Sequence, residues 1–384
     1  RGVHKPLIQN GQQGQHAAPS LHLMNSTSAP DLGQSELIER VSRDILAEQP
    51  AKSIDYIRRL EPEWQLAGRQ WLSTGDWVPS PEVIVPAQGV HAAFMSIIST
   101  ITQPGDKIAI EGLTYSPFAR AMALIGRRVV QVGMGKEGVD PDEFERVCAQ
   151  QHPKVFVSIP TLHNPTTTIL PLEHRQAIVK TAQKHNVIIV EDNIYGKQVD
   201  DAPPPLVALA PEQTFHIGGL SKSVSAGIRA SWVASPPHYR DRILFANKSM
   251  TGGHSYLLAE LAARIVLSGE AARISEMVSA EFASRESIAR EIFKGLEFAS
   301  HPMAPFLWLK LKEPWLPETF KTAARRNGMM IDVADAFKAG QDDAVFHRVR
   351  IAFVAPRDGK EFRSCLMLLK TLMEAGPGGY DDYH

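Results

Sequence analysis

From about residue 80 onward, short apolar runs alternate with longer amphipathic stretches. The runs are rich in Val and Ile at consecutive positions, which is typical of strands buried on both faces of a parallel sheet. The predicted strands are 83–85, 107–110, 128–132, 155–159, 187–191, 214–217 and 230–233, and the predicted helices between them are 90–102, 116–126, 141–151 and 172–185. The alternation predicts an α/β fold with a mostly parallel, seven-stranded sheet, whose ligands bind at the C-terminal ends of the strands.

The pattern changes on either side of this region. Residues 1–20 contain many Gln, Gly and His residues and few large apolar ones, which predicts a flexible linker or arm. After about residue 238, long helical stretches are followed by short strands and a final helix, which predicts a smaller α+β lobe. The predicted parts are a linker or arm at 1–20, the N-terminal part of a small domain at 21–52, a large domain at 53–285, and the C-terminal part of the small domain at 286–384.

Composition narrows the class of protein. The chain of 384 residues is 43% hydrophobic and 22% charged, which predicts a globular protein and excludes a disordered one. Its net charge of −1 provides no general attraction to nucleic acid or to anionic membranes. No apolar run reaches the ~18 residues that a membrane span needs. The two cysteines, Cys148 and Cys365, make no disulfide framework and favour a reducing, cytoplasmic location.

A lysine follows one of the predicted strands among small residues. Lys222 lies just after the strand at 214–217, where a side chain can point into a cleft. A lysine that is partly desolvated near another cation has a lowered pKa and can form a Schiff base. Arg229, seven residues later, could clamp a phosphate. The alternative for Lys222 is a solvated surface lysine, which is the commoner case for any single lysine.

Three polar residues follow the two preceding strands. Asp192 comes directly after the strand at 187–191, where it either caps a turn or holds a pyridine nitrogen protonated through its negative charge. Tyr195, three residues later, could reach a hydroxyl group on the same ring. Asn164 follows the strand at 155–159; Asn-Pro by itself indicates only a turn, but the amide could donate to a phenolate-like oxygen.

Three further candidates are weaker on their own. Gly89 follows the first strand and opens a helix, which makes a natural anion site. Tyr115 could stack on a planar ring or be a partly buried core residue. Arg350 lies in a strand pattern and could bind a carboxylate or be a surface residue at a sheet edge.

The order of these signals along the chain resembles that of the fold-type I pyridoxal phosphate (PLP) enzymes, the aspartate aminotransferase superfamily, over roughly residues 21–375. The resemblance implies that Lys222 forms the internal aldimine and that Asp192 pairs with the pyridine nitrogen. It implies that Asn164 and Tyr195 hold the ring oxygen and that Tyr115 stacks on the ring. Lys222 and Asp192 would be the catalytic residues, and no metal site is predicted.

The same resemblance implies the groups that hold the phosphate and the ligand. Gly89, Val90, His91 and Arg229 would cradle the phosphate, and Arg350 would take the carboxylate of an amino acid. Tyr56, in Ile54-Asp-Tyr, is similar to the tyrosine that reaches the phosphate of the neighbouring subunit, which implies a homodimer.

Several motifs resemble one group within the superfamily, the MocR type of GntR transcription regulators. They are Pro160-Thr-Leu-His-Asn-Pro-Thr-Thr-Thr, Glu191-Asp-Asn-Ile-Tyr-Gly, Gly219-Leu-Ser-Lys-Ser-Val-Ser-Ala-Gly-Ile-Arg and His301-Pro-Met-Ala-Pro-Phe-Leu-Trp-Leu. The resemblance implies a winged-helix DNA-binding domain upstream, joined by a linker. Because the sequence begins at Arg1 rather than Met, we expect that domain to precede it, and we expect contact with DNA only through it.

Three functions remain open on the sequence. The first is the PLP-binding, effector-sensing and dimerisation domain of such a regulator, with a small amino compound as effector, bound as an external aldimine. The second is a free-standing aminotransferase that uses the same residues and acts on an amino acid. The third is a PLP fold that has lost its ligand, which the retained ring-contacting residues disfavour.

Three positions depart from the family pattern. Gly219 stands where the family usually has Ser or Thr on the phosphate, Ala87 stands where it usually has Thr, and Thr167 replaces a common Gly. Two phosphate hydroxyls are therefore expected to be lost, and Ser221 or Ser223 could replace them. Each neutral hydrogen bond contributes only ~0.5–1.5 kcal/mol, so we expect the cofactor still to bind.

Overall fold

The computed structural model describes residues 21–196, 199, 201–340, 346–355 and 358–378 of the chain. The predicted linker at 1–20 lies outside the described residues. Seven strands form the main sheet in the order β1, β9, β8, β7, β6, β2, β3. Their bounds are β1 Ile84–Ala87, β2 Lys107–Glu111, β3 Arg128–Val132, β6 Val155–Ser158, β7 Ile188–Asp192, β8 Thr214–Gly219 and β9 Ser231–Ala234.

The main sheet is mostly parallel, as predicted. Only β9 runs against its neighbours, pairing antiparallel with both β1 and β8. The parallel register sets Asp192 opposite Ile217, so β7 and β8 end side by side. The polar residues that follow these strands are therefore brought to one edge of the sheet.

Helices cover both faces of the main sheet. Alternate residues of β2 separate between the faces, because Ile108 and Ile110 pack into one hydrophobic cluster and Ala109 packs into another. The helices are α1 Gln34–Glu48, α2 Pro62–Leu72, α3 Val90–Ile101, α4 Pro117–Leu124, α5 Pro141–Gln151, α6 Leu172–His185, α7 Leu206–Leu209, α8 Arg240–Thr251, α9 Tyr256–Leu267, α10 Glu270–Ile292, α11 Pro317–Arg326 and α12 Gly359–Ala375. Among them, none has the length and apolar character to cross a membrane.

A second, antiparallel sheet of four strands forms the smaller part of the chain. It contains β10 Phe298–Ala299, β11 Phe306–Lys310, β12 Asp332–Val333 and β13 Arg348–Ala352, and a separate hairpin joins β4 Met134–Gly135 to β5 Gly138–Val139. Val349 and Ile351 pack into a core with α11 and α12. The side chain of Arg350 between them points to the opposite face, because successive side chains of a strand alternate. Arg350 thereby faces the main sheet.

The segment before α1 connects the two parts. The Met330 N–H donates to the His22 carbonyl oxygen at 2.9 Å, and the Ala352 N–H donates to the Met24 carbonyl oxygen at 2.7 Å. The chain then crosses to the main sheet, where the Leu37 side chain of α1 joins a core with residues of α2 and α9. Residues 25–33 therefore lie across the junction between the two sheets.

Candidate functional site

A cavity of about 400 Å³ lies at the C-terminal edge of the main sheet, where the smaller sheet and the N-terminal segment meet it. This volume is within the range of small-molecule sites. Ten residues singled out from the sequence line it: Val90, His91, Tyr115, Asn164, Asp192, Tyr195, Ser221, Lys222, Arg229 and Arg350. The fold thus brings together residues that are spread over 261 positions of the chain.

Lys222 follows β8 by three residues and is largely buried. Its Nζ atom donates a hydrogen bond to the Thr27 Oγ1 atom at 2.8 Å. Burial lowers the pKa of Lys222 to about 8, and the positive charges of Arg350 and Arg229 act in the same direction, while the Asp192 carboxylate opposes them. An amine with this pKa is partly unprotonated near neutral pH and can act as a nucleophile.

Asp192 is the last residue of β7, which ends one position later than predicted. It is 4% exposed, and its Oδ1 atom accepts a hydrogen bond from the Ile194 N–H at 3.1 Å. Burial raises the pKa of Asp192 to about 7, although the Ile194 hydrogen bond and the charge of Lys222 both lower it. A positively charged ligand group at this place would compensate the buried carboxylate.

Asn164 and Tyr195 lie on the same wall. The Asn164 Oδ1 atom accepts a hydrogen bond from the Arg350 Nη1 atom at 2.9 Å. The Tyr195 hydroxyl donates to the Thr27 Oγ1 atom at 3.3 Å, and burial raises the pKa of Tyr195 to about 12. Tyr195 is therefore a neutral hydrogen-bond donor under ordinary conditions.

The N-terminus of α3 lies beside an arginine side chain. Gly89 caps this helix with a φ of 93°, in the left-handed region that favours glycine. A Cβ atom at this position would lie 3.1 Å from the Arg229 Nη2 atom. Free N–H groups of the helix N-terminus thus lie beside a guanidinium. His91 is next to them, and burial together with the charge of Arg229 lowers its pKa, so it adds no positive charge near neutral pH.

The structure shows the surroundings of two positions that depart from the family pattern, Gly219 and Thr167, and of the two serines expected to compensate. A Cβ atom at Gly219 would lie 2.8 Å from the Ala230 carbonyl oxygen, so this strand has no room for a side chain there. Thr167 has a φ of 61°, in the region where glycine is common. Ser221 lines the cavity, whereas Ser223 is buried and its hydroxyl has no hydrogen-bond partner in the described part of the chain.

The two remaining tyrosines are more exposed. Tyr115 lies on the cavity wall with 39% of its surface exposed, and its ring meets the Phe118 ring edge to face at 5.2 Å. Tyr56 is 85% exposed and is not part of the cavity of its own chain. Such exposure leaves Tyr56 accessible to a second chain.

Four polar residues of the cavity were missed by the sequence analysis. Asn25, Ser26 and Thr27 belong to the segment before α1, and Asp332 belongs to β12. None of them follows a strand of the main sheet, so the rule that located the other residues does not apply to them. The hydrogen bond from Lys222 to Thr27 joins residues 195 positions apart in the chain and has no local sequence signal.

Two buried Glu–His pairs lie in and next to the main sheet. The Glu191 Oε2 atom lies 2.8 Å from the His216 Nδ1 atom, and the Glu111 Oε2 atom lies 3.1 Å from the His163 Nε2 atom. Glu191 also accepts the N–H of Leu206 at 2.8 Å. Because a buried carboxylate is costly unless it is paired, these contacts favour an arrangement in which β7 is joined to β8, and β2 to the segment after β6.

Comparisons with known proteins agree on the family. The chain is 27% identical over 347 residues to YdeF of Bacillus subtilis, an uncharacterized HTH-type transcriptional regulator, covering 90% of this chain and 75% of YdeF. It is 26% identical over 241 residues to aromatic-amino-acid aminotransferase 1 of Thermococcus litoralis, covering 60% of this chain and 58% of that enzyme.

The fold is shared with LysN, the alpha-aminoadipate aminotransferase of Thermus thermophilus. That structure superposes with a TM-score of 0.82 at 19% identity, and the match covers 92% of each chain. The sequence model of the family "Aminotransferase class I and II" matches residues 62–358, well over half of the chain. The chain therefore belongs to the class I and II aminotransferases, a PLP-dependent family of fold type I.

Proposed function

We propose that this chain is the PLP-binding, effector-sensing and dimerisation domain of a MocR-type transcriptional regulator. The observation that carries the proposal is the largely buried Lys222 amine, which lies in one cavity with the N-terminal residues of α3, with Arg229 and with the buried Asp192 carboxylate. The name of YdeF, an HTH-type transcriptional regulator whose match covers 90% of this chain, supports the regulator rather than the enzyme.

The described cavity fits PLP. Arg229 and the N-terminus of α3 supply positive charge for a phosphate. Gly89 has no side chain that would come between the backbone N–H groups and that phosphate. Asp192, whose raised pKa reflects an uncompensated buried carboxylate, suits a protonated pyridine nitrogen. When bound, PLP would supply an aldehyde that condenses with primary amines and a ring that withdraws electrons from the linkage.

Each residue around the cavity has a proposed role. Lys222 holds the cofactor and yields its place to an amino-compound effector. Asp192 keeps the ring nitrogen protonated, and Asn164 and Tyr195 bind the ring oxygen as neutral donors. Tyr115 covers the ring at the mouth of the cavity. The phosphate is held by Gly89, Val90, His91, Ser221 and Arg229, and Arg350 forms the ligand end of the cavity.

We further propose that the protein acts as a homodimer in the cytoplasm, with the chain divided into the parts predicted from the sequence. Ile54 and Phe245 are 90% and 73% exposed, and Tyr56 follows Ile54 by two positions, so large apolar side chains are available for contact with a second copy. Tyr56 would then reach the phosphate of the neighbouring subunit. The cysteines are both free and buried, which fits a reducing compartment. DNA would be contacted only through an upstream winged helix.

Absorbance spectroscopy tests the cofactor and its lysine. The purified chain, incubated with PLP and desalted, should show a visible band that shifts when a binding amine is added. The band should be absent from Lys222→Ala, and Lys294→Ala, a change in a lysine outside the cavity, should retain it. A wild-type chain that stays colourless after this treatment contradicts the proposal.

A free-standing aminotransferase is the second candidate, supported by the name of the Thermococcus litoralis relative and by the lowered pKa of Lys222, which allows that amine to move a proton. The coding sequence just upstream distinguishes the two, because a regulator requires a winged helix there. The full-length protein should then bind its own promoter with an affinity that changes on addition of the effector. Sustained amino transfer to a keto acid without DNA binding would favour the enzyme.

A further inference from the structure

An acidic residue lies directly beside the arginine at the ligand end of the cavity. β12 pairs antiparallel with β13 in a register that sets Asp332 opposite Arg350. The Asp332 Oδ2 atom lies 2.6 Å from the Arg350 Nη2 atom. The Arg350 side chain is 7% exposed, and that of Asp332 is 25% exposed. Both residues line the cavity, so a carboxylate of the chain itself is bound to the arginine.

The contacts of Arg350 leave no forked binding edge for a second carboxylate. A carboxylate binds a guanidinium most tightly through two parallel hydrogen bonds, and both the Nε–Nη2 edge and the Nη1–Nη2 edge use Nη2. Nη2 already donates to Asp332 and, at 2.8 Å, to the Asn25 carbonyl oxygen, while Nη1 donates to Asn164. The buried Nε atom alone is without a hydrogen-bond partner within the described ranges.

Aromatic rings keep this arrangement in place. The guanidinium carbon of Arg350 lies 4.7 Å from the centre of the Phe337 ring and 5.3 Å from that of the Phe306 ring. Rotation of the guanidinium away from Asp332 would break these contacts as well as the hydrogen bonds to Asn164 and Asn25. The pair with Asp332 is therefore part of the packed wall of the cavity.

The charges in the cavity then determine which ligand fits. Under the proposed function, Arg229 and Asp192 face the cofactor, so Arg350 and Asp332 are left for the ligand and their charges cancel. An α-amino acid would bring a third charge, a carboxylate, close to that of Asp332 and would have to displace it from Nη2. Like charges brought together in a buried site are costly. A primary amine without a carboxylate leaves the pair intact.

We propose that Asp332 occupies the carboxylate subsite of Arg350 from within the chain, and that the cavity consequently takes primary amines without a carboxylate in preference to α-amino acids. This inference rests on the proposed function, since it assumes that PLP is held at Lys222. It replaces the ligand carboxylate expected from the sequence with a carboxylate of the chain itself.

Isoamylamine and leucine test the inference, because they share a side chain and differ by one carboxylate. Each is titrated against the visible band of the PLP-loaded chain. The ratio of the leucine Kd to the isoamylamine Kd should be above one in the wild type, and should fall by about tenfold or more in Asp332→Ala. Asp332→Asn, which removes only the charge, should act in the same direction.

Asp335→Ala is the matched control. Asp335 lies three residues further along, its side chain is 64% exposed, and it pairs with Lys338 at 2.7 Å. Its replacement should leave the ratio unchanged. Tighter binding of leucine than of isoamylamine by the wild type, or the same ratio in wild type and Asp332→Ala, overturns the inference.

A second measurement does not need the cofactor. Thermal unfolding of the cofactor-free chain is followed in sodium propionate and in sodium chloride of equal ionic strength. Propionate should stabilise Asp332→Ala more than the wild type, because Arg350 is then open to a carboxylate. If no visible band forms with PLP, the proposed function fails, and an equal response to propionate in both chains would still overturn the role of Asp332.

Discussion

Replacement of Asp192 by Asn should stabilise the cofactor-free chain near pH 8 and weaken its affinity for PLP. Burial raises the pKa of this carboxyl from 3.8 to about 7. In the pH range between these values, the folded chain holds a proton that the unfolded chain has released. Stability therefore falls as the pH rises through this range and stays low above it, whereas a neutral Asn carries no such dependence.

The size of the effect follows from the pKa. A rise from 3.8 to about 7 corresponds to about 4 kcal/mol of lost stability near pH 8, at ~1.4 kcal/mol for each pH unit. Near pH 5 the same reasoning gives a smaller loss of stability, about 2 kcal/mol. The hydrogen bond from the Ile194 N–H survives the change, because the Asn carbonyl oxygen can accept it.

Urea unfolding of the dialysed, cofactor-free proteins at about pH 5 and about pH 8 measures the difference, with equal protomer concentrations throughout. Asp192→Asn should raise the free energy of unfolding more at the higher pH. Asp335→Asn, an exposed control, should change it little at either pH. Added PLP should stabilise the wild type more than the variant, because Asn supplies no negative charge for the ring nitrogen. The reasoning is refuted if the variant is less stable at pH 8, or if its gain is larger at pH 5.

Three further predictions concern Lys222, Gly89 and a buried arginine outside the cavity. The rate at which the cofactor-free chain takes up PLP should rise with pH to a midpoint of about 8, the pKa of Lys222, in stopped-flow absorbance; a rate still rising near pH 10 would contradict this. Gly89→Ala should raise the Kd for inorganic phosphate by about tenfold, as measured from the stabilisation by phosphate in thermal unfolding. Gly75→Ala should not change this Kd, because Gly75 also has a positive φ but lies in open space. Arg175→Met should lower the free energy of unfolding in urea by about 3–5 kcal/mol, because the buried guanidinium donates five hydrogen bonds, and the exposed Arg146→Met should change it little.

The sequence by itself determined the main sheet and most of the residues at its edge. The apolar runs at 107–110 and 214–217 specify buried strands through local patterning, and the structure places strands there. Lys222 and Asp192 could be selected because a parallel sheet brings the ends of its strands to one edge, so position along the chain predicts position in space. The same rule does not say how much space a side chain has. That Gly219 has no room for a side chain is seen only in the structure, where the Ala230 carbonyl oxygen lies against it.

Only the tertiary structure decided the ligand end of the cavity. Asp332 lies in a strand of two residues, which is too short for a periodic pattern, and its contact with Arg350 depends on the register between β12 and β13. A shift of one residue would turn Asp332 to the opposite face of the sheet. Thr27 likewise reaches Lys222 because backbone hydrogen bonds at His22 and Met24 hold the N-terminal segment on the smaller sheet. Both contacts join parts of the chain whose relative position follows from packing and has no local signal in the sequence.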